Sequence, residues 1–306
     1  MLGFIFNRVL QSIIVIWAVY TCTFWLLMAA PGDPFVGEKN PSPQVIRELQ
    51  VRYDLDKPLY YAYAKYAWNV VRHGDLGPTI SYPDWTVAQV ISGTLPVSVA
   101  LGALALLLAL WMGIAAGMIG ARFHGGGLDL GLSVATLLGI SLPNFVIGSA
   151  LLMIFSVDLT WLPSGGWGTF NQLILPAFTL ALPFTAYIAR LMRSSALDVR
   201  RADFVRTARA KGAGEARIEM RHILANASIP ILAYLGPAMA GILTGSFVVE
   251  KIFAVPGMGD LFINACLDKD IPVVLGTTLV YTVLLVILNL LADIACAWAD
   301  PRIRLQ

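Results

Sequence analysis

The sequence predicts an all-α membrane protein with six transmembrane helices and a large extracytoplasmic segment between the first and second of them. Three observations predict it. Hydrophobic residues fill 58% of the 306 positions and charged residues only 13%, against roughly 25% charged residues in a soluble chain; mean hydropathy is +0.73. The apolar residues gather in six runs, each long enough for the roughly 20 residues that cross a bilayer as helix. Between the fourth and fifth runs lies a basic island: residues 190–227 hold nine Lys/Arg against four Asp/Glu.

The first run is Val9–Ala30. A cleaved signal peptide would have a shorter apolar core of about 7–15 residues and a small-x-small site. Here the run ends MAAPG, with Pro31 where cleavage would need a pliable backbone. Residues 1–30 are therefore expected to form a retained N-terminal transmembrane helix. Residues 31–93 are polar, with six Lys/Arg and seven Asp/Glu, and form an extracytoplasmic helical segment. Ser42-Pro43 opens a helix with Val45, Ile46 and Leu49 as its buried stripe, and Pro58 opens another, rich in Tyr60, Tyr61, Tyr63, Tyr66 and Trp68. Those aromatics suit a small core or an interface belt; the rival reading is a docking surface for an external partner.

Residues 94–306 then read as a five-helix core. Leu95–Ile119 is the second span, with Gly113 and Gly117 as a small-xxx-small pair for close helix packing. The loop 121–129 carries Arg122. Leu130–Val157 is the third span, with Pro143 in its middle as a kink. Residues 158–172 lack Lys and Arg, and Trp161 and Trp167 suit an outer interface. Leu173–Leu191 is the fourth span, with Pro176 and Pro183. Ile229–Val249 is the fifth, with Pro237 and the pair Gly241/Gly245. A polar loop over 250–272 contains VPGMGDLF, and Val273–Ala299 is the sixth span. Cys22 and Cys296 fall in apolar runs and Cys266 in that loop, a pattern for packing rather than for a disulfide or metal.

Charge sets the orientation. Arg8, Arg122, the basic island, Arg302 and Arg304 fall on one side, whereas the two short loops on the other hold only Lys251 and Lys269. Positive residues mark the cytoplasmic side. Both termini and the loop 194–228 are therefore expected inside, in a multi-pass membrane protein.

The island reads as two short helices around a glycine turn, over residues 202–227. Asp203 caps the first and complements its positive end; Phe204, Val205 and Ala208 share a face. Arg209 and Lys211 sit at its negative end, and Gly212 provides a left-handed stop. Glu215 starts the second helix. Ala216, Met220, Ile223, Leu224 and Ala227 line its apolar face, while Arg217, Glu219 and Arg221 point away. A passive connector needs few residues. This one is long, helix-patterned and turned at glycine, as a knob presented to a soluble partner would be, with Phe204 and Met220 as apolar anchors.

Chemistry of other kinds finds no support. His73, His124 and His222 are scattered, and neither H-E-x-x-H nor the phosphate-cradling G-x-x-x-x-G-K-[ST] occurs. The chain is therefore not expected to be an enzyme, and it calls for no cofactor or metal and no nucleic acid. Gly257-Met258-Gly259-Asp260 resembles the glycine-aspartate signature of intramembrane aspartyl proteases, but it lies in a polar loop without a second aspartate at matching depth. Asp293 is the clearest ionisable residue within a span; its place near the inner end of the helix suits a bonded structural group. An ion-coupled secondary transporter, the alternative function, would show more buried charges and paired broken helices. A membrane scaffold is a third reading.

The stretch DFVRTARAKGAGEARIEMRHILANASIP resembles the coupling loop of peptide-type ABC importer permeases. APGDPFVGEK after the first span, HGDLGPTI before the second, WLPSGGW after the third, GSFVVEKIFAVPGMGDLF at the fifth and the terminal DPRIR agree with it. The chain is thus similar, end to end, to B-type permease subunits of oligopeptide/dipeptide importers (Opp/Dpp). The resemblance implies a type I ABC importer permease fold and import of peptides, and it alone implies a bacterial inner membrane. It implies pairing with a homologous C-type permease in a heterodimer. It also implies two ATP-binding subunits, which hold the ATP and Mg, and an extracytoplasmic solute-binding protein that delivers the peptide. The knob becomes a coupling helix, with its core at Arg206, Thr207, Ala208, Lys211 and Gly212. The general importer pattern is E-A-A, three residues, then G. Here Arg206 and Thr207 replace its first two residues, and Ala208 and Gly212 match.

Overall fold

A computed structural model of the chain describes residues 2–30, 57–82 and 84–299, without side chains at 2–5, 244–246 and 295–299. The described residues fold into helices joined by turns. In chain order these are α1 (Leu2–Ala29), α2 (Leu59–His73), α3 (Val87–Arg122), α4 (Gly127–Ser141), α5 (Asn144–Asp158, π-helical from Met153) and α6 (Phe170–Arg200). They continue with α7 (Asp203–Ala210), α8 (residues 215–227, π-helical over Ile218–Leu224), α9 (Ile229–Ile252), α10 (Met258–Leu267) and α11 (Ile271–Ala299). The helix around Ser42-Pro43 and the terminal DPRIR lie outside the described residues.

Among the described residues, five helices are long and apolar enough to cross a membrane: α1, α3, α6, α9 and α11. The pair α4 and α5, bent by 108°, passes the same test only when taken together, and makes six if it counts as one span. Pro143 is the cause. A residue before proline is driven out of the helical region, and Leu142 is extended at φ −88°, ψ 131°. The expected kink within one continuous span is thus a complete break. Pro176 and Pro183, by contrast, lie within an unbroken α6, as neighbouring helices in a membrane permit.

The chain divides into two compact units, with boundaries inside α3 and α11. In the unit formed by residues 98–255 and 285–306, α6 is the buried element, with Leu180, Ile188 and Met192 fully enclosed. Glycines let α3 approach it: a Cβ on Gly113 would lie 2.8 Å from Ile188 Cβ, and one on Gly117 would lie 2.5 Å from Met192 Cβ and 2.6 Å from the Ala189 carbonyl. The Gly113/Gly117 pair therefore does what its spacing predicts. Replacing Gly117 by leucine is expected to destabilise the detergent-extracted chain by about 1–3 kcal/mol through overpacking, read as a lowered unfolding midpoint. Gly241 meets Phe184 in the same manner, with 3.0 Å available. In the loop after α5, Gly166 N–H donates to the Phe253 carbonyl at 2.8 Å, and Trp161 stands exposed, as at an interface.

The other unit comprises residues 2–97 and 256–284. Here Tyr20 and Phe24 of α1 pack with Leu275 and Leu279 of α11 and with Tyr63 and Tyr66 of α2. Tyr20 stacks on Tyr63 at 4.9 Å and its hydroxyl donates to the Tyr63 carbonyl at 2.7 Å. The α2 aromatics thus divide: Tyr63 and Tyr66 enter this core, while Tyr60 and Trp68 are 72% and 59% exposed. Asp270, buried ahead of α11, accepts the Ile80 and Ser81 N–H groups at 2.9 and 2.8 Å. That pins the turn before α3, which starts with a capping box between Thr86 and Gln89.

Three expectations for the 250–272 loop change. Glu250 belongs to the last turn of α9, and is fully buried with Ser98 Oγ at 2.7 Å. Residues 258–267 form the apolar helix α10. Cys266 is on that helix, and both it and Cys22 are exposed rather than packed. Asp293 is half-buried on α11.

Candidate coupling hairpin

The chain leaves α6 at Arg200 and, after Arg201 and Ala202, enters α7. Ala202 takes the cap position with extended backbone, so Asp203 is the first helical residue rather than the cap. Its carboxylate still faces the positive helix end and lies 3.6 Å from Arg206. Val205 is fully buried, whereas Phe204 is 46% exposed. The two apolar residues therefore face opposite ways, because adjacent helical positions diverge by about 100°. Val205 anchors the hairpin to its own chain and Phe204 is left to solvent.

The turn follows the glycine rule. Gly212 has φ +77°, Ala213 N–H donates to the Ala208 carbonyl at 3.1 Å and Gly212 N–H to the Arg209 carbonyl at 2.9 Å. These two bonds make a Schellman motif. A Cβ at Gly212 would meet nothing within 4 Å, so backbone conformation, not space, selects glycine. Arg209 closes the turn, with Nε donating to Glu215 Oε1 at 2.9 Å and Nη2 to Oε2 at 3.3 Å.

That guanidinium holds the Glu215 carboxyl below its ordinary range. A carboxyl lowered in the folded state stabilises the turn above its unfolded value, and the gain is lost as pH falls through the lowered one. A spin label on a Lys211→Cys chain is expected to gain mobility on acidification below about pH 4, and less so at high salt.

α8 differs most from the sequence pattern. Ile218 to Leu224 form a π-helical stretch, whose i→i+5 bonding brings Ile218 and Ile223 onto the inner face. Both are fully buried, as is Ala227. The register change turns Met220 outward, 65% exposed, and Glu219 inward, 8% exposed, the reverse of the 3.6-residue expectation for each. Ala216 is exposed.

Phe204, Arg206, Thr207, Lys211, Gly212 and Met220 are therefore all exposed, with Ala208 half-buried between them. The structure gathers these seven residues on one surface element held from behind by Val205, Ile218 and Ile223. Such an element offers apolar contacts and positive charge to an acidic, partly apolar cleft. Among the described residues no group of three His, Cys, Asp or Glu could hold a metal ion.

Two buried acids are paired with arginines of α6, which the sequence did not reveal. Glu219 bonds to Arg200 at 2.7 Å. Asp129, in the first turn of α4, is 4% exposed and takes a two-nitrogen fork from Arg193 at 2.6 and 2.7 Å. The Gly125 N–H adds a bond at 2.9 Å, and His124 Nδ1 lies 3.1 Å away. Arg193 of α6 is thereby tied to α4. Gly120, within α3, leaves room for the Arg193 side chain at 3.3 Å.

Comparison with known proteins agrees with this architecture. Residues 113–305 match the family described as binding-protein-dependent transport system inner membrane component, and residues 1–101 match its N-terminal membrane-component family. The oligopeptide transport system permease protein OppB of Haemophilus influenzae is 40% identical over 306 residues, covering 99% of this chain and 100% of that protein. The dipeptide transport system permease protein DppB of Bacillus subtilis is 40% identical over 288 residues, 94% of this chain and 93% of its own. Among solved structures, a chain of the MetNI methionine ABC transporter in an inward-facing conformation superposes with TM-score 0.59 at 16% identity, over 70% of this chain and 97% of that one. At that identity the likeness speaks to fold alone, and the fold is that of a type I importer permease. With 40% identity along essentially its whole length and a family match over residues 113–305, this chain belongs to the binding-protein-dependent transport system inner membrane components.

Proposed function

We propose that the chain is the B-type permease subunit of an ATP-driven importer of oligopeptides or dipeptides. The observation that carries the reading is the exposed, basic, glycine-stopped hairpin at the end of α6, with Phe204 and Met220 turned outward. Family membership and the printed names of the relatives favour it over an ion-coupled carrier. The hairpin seats in a cleft of one ATPase subunit: Phe204 and Met220 supply apolar contact, Arg206 and Lys211 meet acidic groups, and Thr207, Ala208 and Gly212 give the partner close access to the helix end. Both termini and the hairpin face the cytoplasm, as the positive residues require.

The chain works beside a homologous C-type permease, above two ATPase subunits that bind ATP and Mg, and takes peptide from an extracytoplasmic binding protein. Closure of the ATPases moves the hairpin, and the spans pass from inward-open to outward-open. Such a shift needs contacts that differ between the two ATPase states, which an exposed element on a firm base can make.

The test is reconstitution of the full set of subunits in liposomes. Peptide uptake is expected to require ATP and the binding protein, and the purified chain alone is expected to turn over no ATP. Uptake by this chain by itself, driven by a proton gradient, would overturn the proposal.

A further inference from the structure

The geometry points to the Arg200–Glu219 pair as the strut that carries movement of the hairpin into α6, which makes both residues positioning residues for coupling. This rests on the reading of the hairpin as the ATPase dock. Arg200 is the last residue of α6, and Glu219 precedes Met220, one of the outward anchors. The covalent link through Arg201 and Ala202 ties the near end of the hairpin to α6, whereas Ser228 ties the far end to α9 and not to α6. Its far helix, α8, is held to α6 by this pair and by apolar packing.

Burial gives the pair its stiffness. Its side chains are 18% and 10% exposed, against 43% and 60% for the Arg209–Glu215 pair at the tip. Solvent and salt weaken the tip pair but barely reach the inner one. Apolar contacts at Val205, Ile218 and Ile223 are non-directional; they hold α8 down without fixing where it sits along its neighbour. An ion pair does fix this, which is the best-attested use of buried charge. Stability does not explain a carboxylate here, since an apolar residue between Ile218 and Met220 would be buried without desolvating a charge.

The hydrogen-bond pattern also leaves a second position open. Arg200 Nη2 alone reaches both Glu219 oxygens, at 2.7 and 2.8 Å, while Arg200 Nε is buried without an acceptor. Arginine normally meets a carboxylate with two nitrogens in a fork, as Arg193 meets Asp129. A small slide of α8 against α6 completes that fork. Two discrete arrangements of one packed contact are what a coupling element requires.

The experiment uses the complete reconstituted transporter and reads ATP hydrolysed per peptide imported. Glu219→Gln keeps the shape and removes the charge; Arg200→Glu with Glu219→Arg exchanges the partners. With Glu219→Gln, the ATPase subunits are expected to remain bound and active while import falls about tenfold, so the ATP-to-peptide ratio rises. The exchange is expected to restore part of the loss. A purely structural pair would lower assembled complex, hydrolysis and import together at an unchanged ratio, and that result overturns the inference. If the unaltered transporter itself shows no ATP-dependent uptake, the functional proposal has failed instead.

Discussion

Replacing Phe204 and Met220 together by aspartate is expected to separate the chain from its ATPase subunits while leaving it folded in the membrane. The side chains are 46% and 65% exposed, and the inner face of the hairpin is supplied by Val205, Ile218 and Ile223, each fully buried. Exposed positions usually change stability by no more than about 0.5 kcal/mol, so yield and unfolding midpoint should hold. Binding is another matter. Aromatic residues and methionine are enriched where interfaces exclude water, and losing one central anchor costs about 2 kcal/mol or more, which is about 30-fold in affinity. Aspartate adds the cost of leaving a carboxylate in an apolar cleft. The measurement is the quantity of ATPase subunit retained by a tagged chain purified from membranes. Full retention by the double variant would remove the hairpin from the interface, and the coupling assignment with it.

The next largest effect is expected from Gly212→Val. Its backbone is at φ +77°, a region that costs an L-residue about 1–2 kcal/mol and a β-branched one more. No atom lies within 4 Å of the added Cβ position, so no clash complicates the result. The strain falls on the two bonds that close α7, Ala213 to Ala208 and Gly212 to Arg209, and on the Arg209–Glu215 pair beyond them. Insertion should be unaffected, since the spans are untouched. Peptide import should fall while the assembled ATPases keep hydrolysing. Asparagine tolerates the left-handed region better than other side chains, so Gly212→Asn is expected to recover part of the import. Normal import with valine would show that the turn has no mechanical role.

These two effects rest on features of unequal visibility. The turn was legible, because a glycine after a short basic helix has few other uses and the left-handed conformation follows from the absence of a Cβ. The faces of the hairpin were half legible. Val205 and Phe204 are adjacent and both apolar, and nothing local says which one the chain keeps for itself. In α8 the pattern misled, because a period of 3.6 was applied to a π-helical stretch. The inward Glu219 and outward Met220 follow from that stretch, which buries Ile218 and Ile223 completely. Asp129 and Glu250 were illegible for a related reason: a carboxylate beside a loop reads as solvated until a partner, Arg193 or Ser98, is brought to it from 64 or 152 positions away.

The spans show the same division. Composition, run length and the Gly113/Gly117 spacing determined by themselves that this is a helical membrane protein whose second span packs closely on a neighbour, since hydrophobic length and the size of a hydrogen atom are local properties; that the neighbour is α6 came from the structure. Pro143 announced a disturbance of the third span but not its size, because a proline frees backbone groups that only neighbouring elements can satisfy; the same residue type passes unnoticed at Pro176 and Pro183. The tertiary structure alone decided that one proline breaks a helix by 108° and two do not. It alone also decided which charges lie inside, because burial and ion pairing depend on residues far apart in the chain.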